Sequence, residues 1–182
     1  MVQRFCNWLL YKKNGWKKEI TIDHPDKYII CLAPHTSNWD FIIGQLYMRA
    51  EGLHINFLMK KEWFHGPLGT LFRRMGGIPV WRDKKTSLTD NLANTAKEEK
   101  QFHLCITPEG TRSRNPEWKK GFYFIAMKAQ IPILLYALDY EKKLIRCTRQ
   151  VLPTGDIDKE MKEIKDYFKD CKGKHPQLFT TG

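Results

Sequence analysis

The segment between Tyr28 and Met48 constrains the fold most, because an apolar run of strand length leads into a stretch with helical spacing. Residues 28–33 read Tyr-Ile-Ile-Cys-Leu-Ala. After a polar turn, apolar side chains recur at positions 41, 42, 46 and 48. That recurrence predicts a helix with one buried face. The segment therefore predicts a strand followed by a helix, the repeating unit of α/β folds.

The same alternation continues along the rest of the chain. Further strands are predicted at 54–59, 78–81, 102–106 and 131–138, with a polar hairpin partner at 143–149. Helices are predicted at 2–11, through 71–75, and at 88–100, 118–129 and 157–171. Pro79 marks the second of these strands as an edge strand or a strand start, because proline cannot donate to a central ladder. We expect a single α/β domain over residues 1–182, with a mostly parallel mixed sheet flanked by helices.

The charge balance indicates an anionic partner. The chain has 31 Lys and Arg against 20 Asp and Glu, a net charge of +11. Such a surface favours nucleic acid, an acidic membrane surface, or phosphorylated and carrier-bound substrates. The five cysteines include no Cys-x-x-Cys pair, so neither a zinc site nor a disulfide framework is predicted. A reducing cytoplasmic compartment is the default expectation for such scattered cysteines. No apolar run is long enough to cross a bilayer, and no secretory signal is recognisable.

The first 18 residues form a short amphipathic segment followed by a basic one. Apolar residues at positions 2, 5, 6, 9 and 10 lie on one helical face, and four lysines follow by position 18. Aromatic side chains beside such a face suit a helix lying in a membrane interface. The alternative is a terminal helix that packs on its own domain, and the sequence leaves both open.

His35 and Asp40 bracket the turn between the first predicted strand and its helix. Ligands of α/β sheets bind at the carboxyl ends of strands. There a histidine oriented by a carboxylate can remove a proton from a substrate hydroxyl, like a catalytic triad without its serine. In the alternative interpretation, His35 is an ordinary loop residue. Ser37 or Asn38 then caps the helix, and Asp40 complements its dipole.

A second polar loop, residues 107–114, follows the predicted strand at 102–106. Gly110 permits close approach of the backbone to a ligand, and Thr111 offers a hydroxyl. Arg112 can grip a phosphate with two parallel hydrogen bonds. Glu109 can hold that arginine or bond a substrate hydroxyl. The alternative is a surface turn with an ion pair.

Arg82 follows the short strand at 78–81 and is the third polar group at a predicted strand end. A lone arginine in such a position is usually just solvated. Its significance depends on the two loops described above.

Four segments together resemble the glycerolipid acyltransferases, in particular the lysophosphatidic acid acyltransferase family. They occur in the family's order and cover roughly residues 28–140. The segments are Pro-His-Thr-Ser-Asn-Trp-Asp at 34–40, Gly-Ile-Pro-Val-Trp-Arg at 77–82, Ile-Thr-Pro-Glu-Gly-Thr-Arg-Ser at 106–113, and Ile-Pro-Ile at 131–133. The first and third, a His-x-x-x-x-Asp motif and a Pro-Glu-Gly-Thr-Arg-Ser motif, are highly specific in combination.

The resemblance implies a fold like that of glycerol-3-phosphate acyltransferase and an O-acyltransferase activity in phospholipid biosynthesis. An acyl group would move from acyl-CoA or acyl carrier protein to a lysophosphatidic acid-like acceptor, with no metal or cofactor. His35 would be the general base and Asp40 its orienting partner. Binding of the acceptor's phosphate and glycerol end would fall to Lys60, Arg82, Glu109, Gly110, Thr111 and Arg112.

Other classes of protein remain as alternatives. A non-catalytic relative that binds phospholipid or a membrane surface would need the arginines but not His35. A nucleic-acid-binding module would explain the charge, yet most aromatics here have core spacing, so we expect no nucleic acid. A metal-dependent hydrolase would need further ligands, and the remaining histidines lack recognisable ligand spacing. The expected partners are a lysophospholipid, an acyl thioester and an anionic membrane, with the protein peripheral on the cytoplasmic face.

Overall fold

The computed structural model describes residues 1–80 and 85–182. Within these ranges the strands are β1 (Lys17–Ile20), β2 (Lys27–Ala33), β3 (Asn56–Lys60), β4 (Gly77–Val80), β5 (Phe102–Ile106), β6 (Ile133–Asp139), β7 (Leu144–Cys147) and β8 (Gln150–Val151). The helices are α1 (Val2–Asn7), α2 (Trp39–Glu51), α3 (Gly66–Arg74), α4 (Lys85–Glu98), α5 (Gly121–Ala129) and α6 (Ile157–Phe168). A π-helical segment, Trp8–Lys13, continues α1.

The described strands form one mixed sheet in the order β1-β7-β6-β2-β5-β3-β4, and β8 pairs with β6. The pairs β2–β5, β2–β6, β3–β5, β3–β4 and β1–β7 are parallel. Among the described strands, the antiparallel pairs are β6–β7 and β6–β8. The carboxyl ends of β2, β5, β6 and β3 therefore meet at one edge, where the polar loops follow.

The centre of the sheet is buried on both faces, which is why its strands read as continuous apolar runs rather than alternating ones. All seven residues of β6 are buried, as are most of those in β2. One face packs against α4, α5 and α6, and the other against α1 and α2. Because both helical layers hold the same central strands, the strand ends that carry the loops are fixed in position.

Helix α2 begins directly after the loop that contains His35. Its inward side chains include Ile43 and Tyr47, and it ends at Gly52, whose φ of 70° provides the left-handed C-cap that glycine adopts without strain. The hydrophobic spacing predicted this helix correctly. Its packing fixes the first turn, where Asp40 lies.

The expected α/β fold with a mostly parallel sheet is confirmed. The edge position predicted from Pro79 is confirmed too, since β4 lies at the end of the sheet, and β7 is the predicted hairpin partner. Strands β1 and β8 were not predicted, because β1 is a charged tetrapeptide and β8 has two residues.

One predicted helix begins later than expected. The spacing placed its start at Trp118, whereas α5 starts at Gly121. Trp118 is nevertheless buried, with its indole N–H donating to the carbonyl of Thr180 at 3.1 Å. Trp118 is therefore buried by a tertiary contact with the C-terminal segment and not as part of a helix face. Helical periodicity in the sequence cannot distinguish these two causes of burial.

The N-terminal helix packs on its own domain, as the second interpretation of its sequence expects. Cys6 and Leu10 are buried against the domain, while Val2, Phe5 and Trp8 are exposed. The helix therefore packs on the fold and still presents an apolar face to the solvent. No helix in residues 1–80 and 85–182 has the length and apolar character to span a bilayer.

Candidate active site

The loop between β2 and α2 carries the first predicted pair. It starts with a cis Ala33–Pro34 peptide bond and contains His35 two residues beyond the end of the strand. His35 Nδ1 lies 3.1 Å from Oδ2 of Asp40. Asp40 is fully buried, whereas the imidazole is 19% exposed. The predicted approach of the two side chains across the strand–helix turn is thus found, with part of the His35 side chain accessible to solvent.

Both carboxylate oxygens of Asp40 are occupied. Oδ2 also accepts hydrogen bonds from the backbone N–H groups of Thr36 and Ser37, at 2.8 and 2.9 Å. Oδ1 accepts one from the hydroxyl of Tyr140 at 2.7 Å. Hydrogen bonds to both oxygens hold the carboxylate in one orientation, with Oδ2 facing Nδ1 of His35.

Asn38, one of the two residues expected to cap the helix, occupies the N-cap position but makes no side-chain capping hydrogen bond. Its amide oxygen accepts a hydrogen bond from Nη1 of Arg112 instead. Ser37 Oγ accepts from the N–H of Trp39 at 3.2 Å. The carboxylate of Asp40 turns back onto its own loop. The His35–Asp40 pair, here called the dyad, and the helix start therefore coexist in one loop.

Glu109 follows β5, the parallel neighbour of β2, and its side chain reaches the first loop. Oε1 accepts a hydrogen bond from the backbone N–H of His35 at 3.1 Å, and Oε2 is buried without a hydrogen-bond partner in the described residues. Only 4% of Glu109 is exposed. Burial raises its pKa to about 7, with the charge of Asp40 adding to the rise and the His35 N–H opposing it. The structure thus pairs Glu109 with the His35 backbone, and the arginine it was expected to hold contacts Asn38.

The loop after Glu109 adopts the conformation that its glycine permits. Gly110 has a φ of 64°, in the left-handed region, and an added Cβ would come within 2.6 Å of the Lys119 side chain. Thr111 Oγ1 accepts from the N–H of Ser113 at 3.2 Å. The exposed Arg112 is brought to the start of α2. A guanidinium thereby lies beside the loop of the dyad.

Of the two remaining residues predicted to bind substrate, Lys60 and Arg82, the structure describes only Lys60. Lys60 is the exposed last residue of β3, so it lies at the carboxyl edge that β3 shares with β5. Arg82 lies outside the described residues. Hydrogen bonds thus link His35 to both Asp40 and Glu109, and Arg112 to Asn38 in the same loop, while Lys60 shares only the edge of the sheet.

Sequence reasoning missed the groups that hold the dyad from the far side of the fold. Tyr140 comes directly after β6, and the C-terminal segment reaches the loop through the N–H of His175, which donates to Thr36 Oγ1 at 3.1 Å. The sequence did hold a signal for Tyr140, because a strand was predicted at 131–138. If that strand runs parallel to the first one, the residues after it lie at the same edge of the sheet as His35.

The geometry defines what the dyad can do chemically. An imidazole whose Nδ1 faces a carboxylate carries its proton there, so Nε2 has the free lone pair. That nitrogen can accept a proton from a hydroxyl, and Asp40 stabilises the resulting imidazolium. No group of three or more His, Cys, Asp or Glu side chains is arranged to hold a metal ion in residues 1–80 and 85–182.

Known proteins resemble this chain in sequence and in fold. The sequence model of the family described as Acyltransferase matches residues 17–138, from β1 to the end of β6. A crystal structure of the 1-acyl-sn-glycerophosphate (LPA) acyltransferase PlsC from Thermotoga maritima superposes with a TM-score of 0.61 at 18% sequence identity, covering 92% of this chain and 75% of that one. No curated protein sequence matches the chain significantly. The structural likeness confirms the expected fold, and from the family match the chain belongs to the acyltransferase family.

Proposed function

We propose that this protein moves a fatty acyl group from an acyl thioester to the free hydroxyl of a lysophosphatidic acid-like acceptor. The observation that carries the proposal is the His35–Asp40 pair, 3.1 Å apart, in a chain of the acyltransferase family. Acceptors of this type are also substrates of the Thermotoga maritima protein, whose fold this chain shares. Acyl-CoA or acyl carrier protein is the donor.

In the proposed reaction, Nε2 of His35 takes the proton from the acceptor hydroxyl as its oxygen attacks the thioester carbonyl. The new C–O bond gives a tetrahedral oxyanion, stabilised by Lys60 or by backbone N–H groups. Collapse breaks the C–S bond, and the imidazolium returns its proton to the departing thiolate. The products are an ester and a free thiol. A positioned base contributes about 10²–10⁴ in rate and an oxyanion donor a similar factor.

The acceptor's phosphate would lie against Arg112 and Arg82. Support comes from Arg112, which hydrogen-bonds Asn38 within the loop of the dyad and is exposed to solvent. Glu109 orders the site through the His35 backbone. Gly110 and Thr111 set the shape of the loop between them.

We further propose that the protein docks peripherally on an anionic membrane, at its cytoplasmic face. Two exposed apolar groups support this: Val2, Phe5 and Trp8 on α1 and the start of the π-helical segment, and Trp63, Leu68 and Leu71 in and just before α3. Basic residues accompany both groups, with Lys12 and Lys13 after α1 and Arg73 and Arg74 in the last turn of α3. Apolar side chains ringed by lysine and arginine favour an interface with anionic lipid.

The test is acyl transfer by the purified protein in a donor and acceptor panel. Lysophosphatidic acid and an uncharged monoacylglycerol are each combined with acyl-CoA and acyl carrier protein, and the ester product is measured by mass spectrometry. We expect product with lysophosphatidic acid and at least one thioester. Lipid binding without product from any pair would instead identify a non-catalytic lipid-binding relative.

A further inference from the structure

Tyr140 lies at the carboxyl end of β6, on the opposite side of β2 from Glu109. Because β6 runs parallel to β2, the residue after it arrives at the same edge of the sheet as His35. Its hydroxyl donates to Oδ1 of Asp40 at 2.7 Å. The contact joins residues 100 positions apart in the chain. It therefore depends on the assembled sheet and not on the local loop.

The tyrosine itself is held at two further points. Its ring lies edge-on to Trp16, with ring centroids 5.1 Å apart and planes at 84°. Its backbone N–H donates to the carbonyl of Lys172 at 2.8 Å. An edge-to-face aromatic contact and a backbone hydrogen bond leave the side chain little freedom. The hydroxyl is therefore a preorganised donor.

We propose that Tyr140 is a positioning residue for acyl transfer, acting on His35 through Asp40. The inference rests on the proposed function, in which this pair is the base. Oδ2 of Asp40 serves the imidazole and the N–H groups of Thr36 and Ser37, while Oδ1 has Tyr140 as its partner. The tyrosine fixes the plane of the carboxylate and hence the direction in which His35 points.

The same hydrogen bond also sets the strength of the base. A donor on Oδ1 withdraws negative charge from the carboxylate, so the imidazolium is stabilised less than it would be by a bare anion. The groups that face Asp40 are His35 and the two amides from its own loop, Tyr140 from the end of β6, and Glu109 from the β5 loop. Burial, with the charge of Asp40, raises the pKa of Tyr140 far above its ordinary value, so the hydroxyl remains a donor throughout the working range.

The first test is Tyr140→Phe, which keeps the ring on Trp16 and removes only the hydroxyl. We expect kcat to fall by about 10-fold, as the loss of a hydrogen bond to a charged group implies, with little change in the KM for acceptor. The acid limb of the pH profile should move to higher pH by about half a unit, because the carboxylate now stabilises the imidazolium more strongly. Tyr123→Phe is the matched control, because its buried hydroxyl also donates to a carboxylate, that of Glu160 at 2.6 Å. The control should leave the acid limb in place.

Incorporation of 3-fluorotyrosine at Tyr140 should strengthen the hydrogen bond to Asp40 that Tyr140→Phe removes, while it keeps the aromatic ring in place. Its more acidic hydroxyl is a stronger donor, so the acid limb should move to lower pH. Unshifted limbs in both variants, or equal shifts in the Tyr123→Phe control, would overturn the inference. Failure of the proposed function has a different signature, namely full turnover by His35→Ala. An inactive His35→Ala variant with an unaffected Tyr140→Phe variant would refute the role of Tyr140 alone.

Discussion

The carboxylate of Glu109 accepts a hydrogen bond from the backbone N–H of His35 at 3.1 Å. This contact joins the two most specific motifs of the sequence at the ends of neighbouring parallel strands, β2 and β5. The Pro-Glu-Gly-Thr-Arg-Ser loop therefore shapes the dyad's loop directly as well as lying beside it. Its glutamate is buried, so the contact also affects folding stability.

Glu109 should make stability fall as the pH rises. Burial raises its pKa from 4.5 to about 7, so between these values the folded protein keeps a proton that the unfolded chain has lost. The unfolding free energy then decreases through that window, by up to about 3 kcal/mol. Glu109→Gln retains an acceptor for the His35 N–H and cannot ionise. Urea unfolding at several pH values should show a flatter dependence in this variant than in the wild type.

The exposed Glu141 gives the control for that measurement. Glu141→Gln should keep the wild-type pH dependence. If Glu109→Gln kept it as well, the raised pKa assigned to Glu109 would be incorrect.

Gly173→Ala should disturb the dyad's loop from the C-terminal segment. A Cβ at position 173 would lie 2.7 Å from Thr36 Oγ1 and 3.1 Å from the side chain of Pro34. Such overlap costs about 1–3 kcal/mol and displaces the loop that carries His35. Calorimetry and initial rates should show both a lower Tm and a lower kcat. Gly44→Ala, in the open middle of α2, is the control and should be neutral or stabilising. A Gly173→Ala protein with wild-type Tm and kcat would show that the segment does not press on the loop.

Arg112→Ala should raise the KM for a phosphate-bearing acceptor by about 10–100-fold, the effect of losing a charge-assisted hydrogen bond. We expect a smaller effect on an acceptor without phosphate, because the guanidinium is assigned to that group. Arg114→Ala is the control, because it removes the same charge from the same loop. It separates a specific contact between Arg112 and the acceptor's phosphate from the general attraction of a positive surface for an anion. Equal KM values for both variants would indicate that only net charge matters.

The apolar face of α1 should contribute to membrane binding. Phe5 and Trp8 are 58% and 50% exposed, so replacing both with serine removes apolar area without opening the core. Sedimentation with anionic liposomes should weaken by at least about 10-fold. Wild-type binding should also fall as salt rises. Leu152→Ser, which removes an exposed apolar side chain after β8, is the control. Undiminished binding by the double variant would assign docking to another surface.

The sequence predicted those parts of the site that depend on local order along the chain. His35 and Asp40 flank one strand–helix turn, so the spacing of apolar residues was enough to bring them together. The same holds for Gly110, whose positive φ follows from its place in a tight loop. Each of these positions is set by neighbours within a few residues.

The contacts of Glu109, Tyr140 and Gly173 could not be predicted in the same way. Which strand lies beside β2 depends on the order β6-β2-β5, and that order is decided by packing across the whole sheet. The partners of Glu109 and Tyr140 within the first loop follow only once the order is known. Trp118 illustrates the same limit, since its burial comes from the C-terminal segment rather than from a helix face.

The most direct test of the central claim is acyl transfer by purified His35→Ala, assayed with the donor and acceptor that the wild type uses. Asp40 keeps its bonds to Tyr140 and to the loop amides in this variant, so circular dichroism and thermal unfolding should match a folded protein. We predict that turnover falls by at least about 100-fold, the contribution of a positioned base. The exposed His54 supplies the control, and His54→Ala should retain full activity. Turnover by folded His35→Ala at a rate comparable to the wild type would contradict the assignment of His35 as the base.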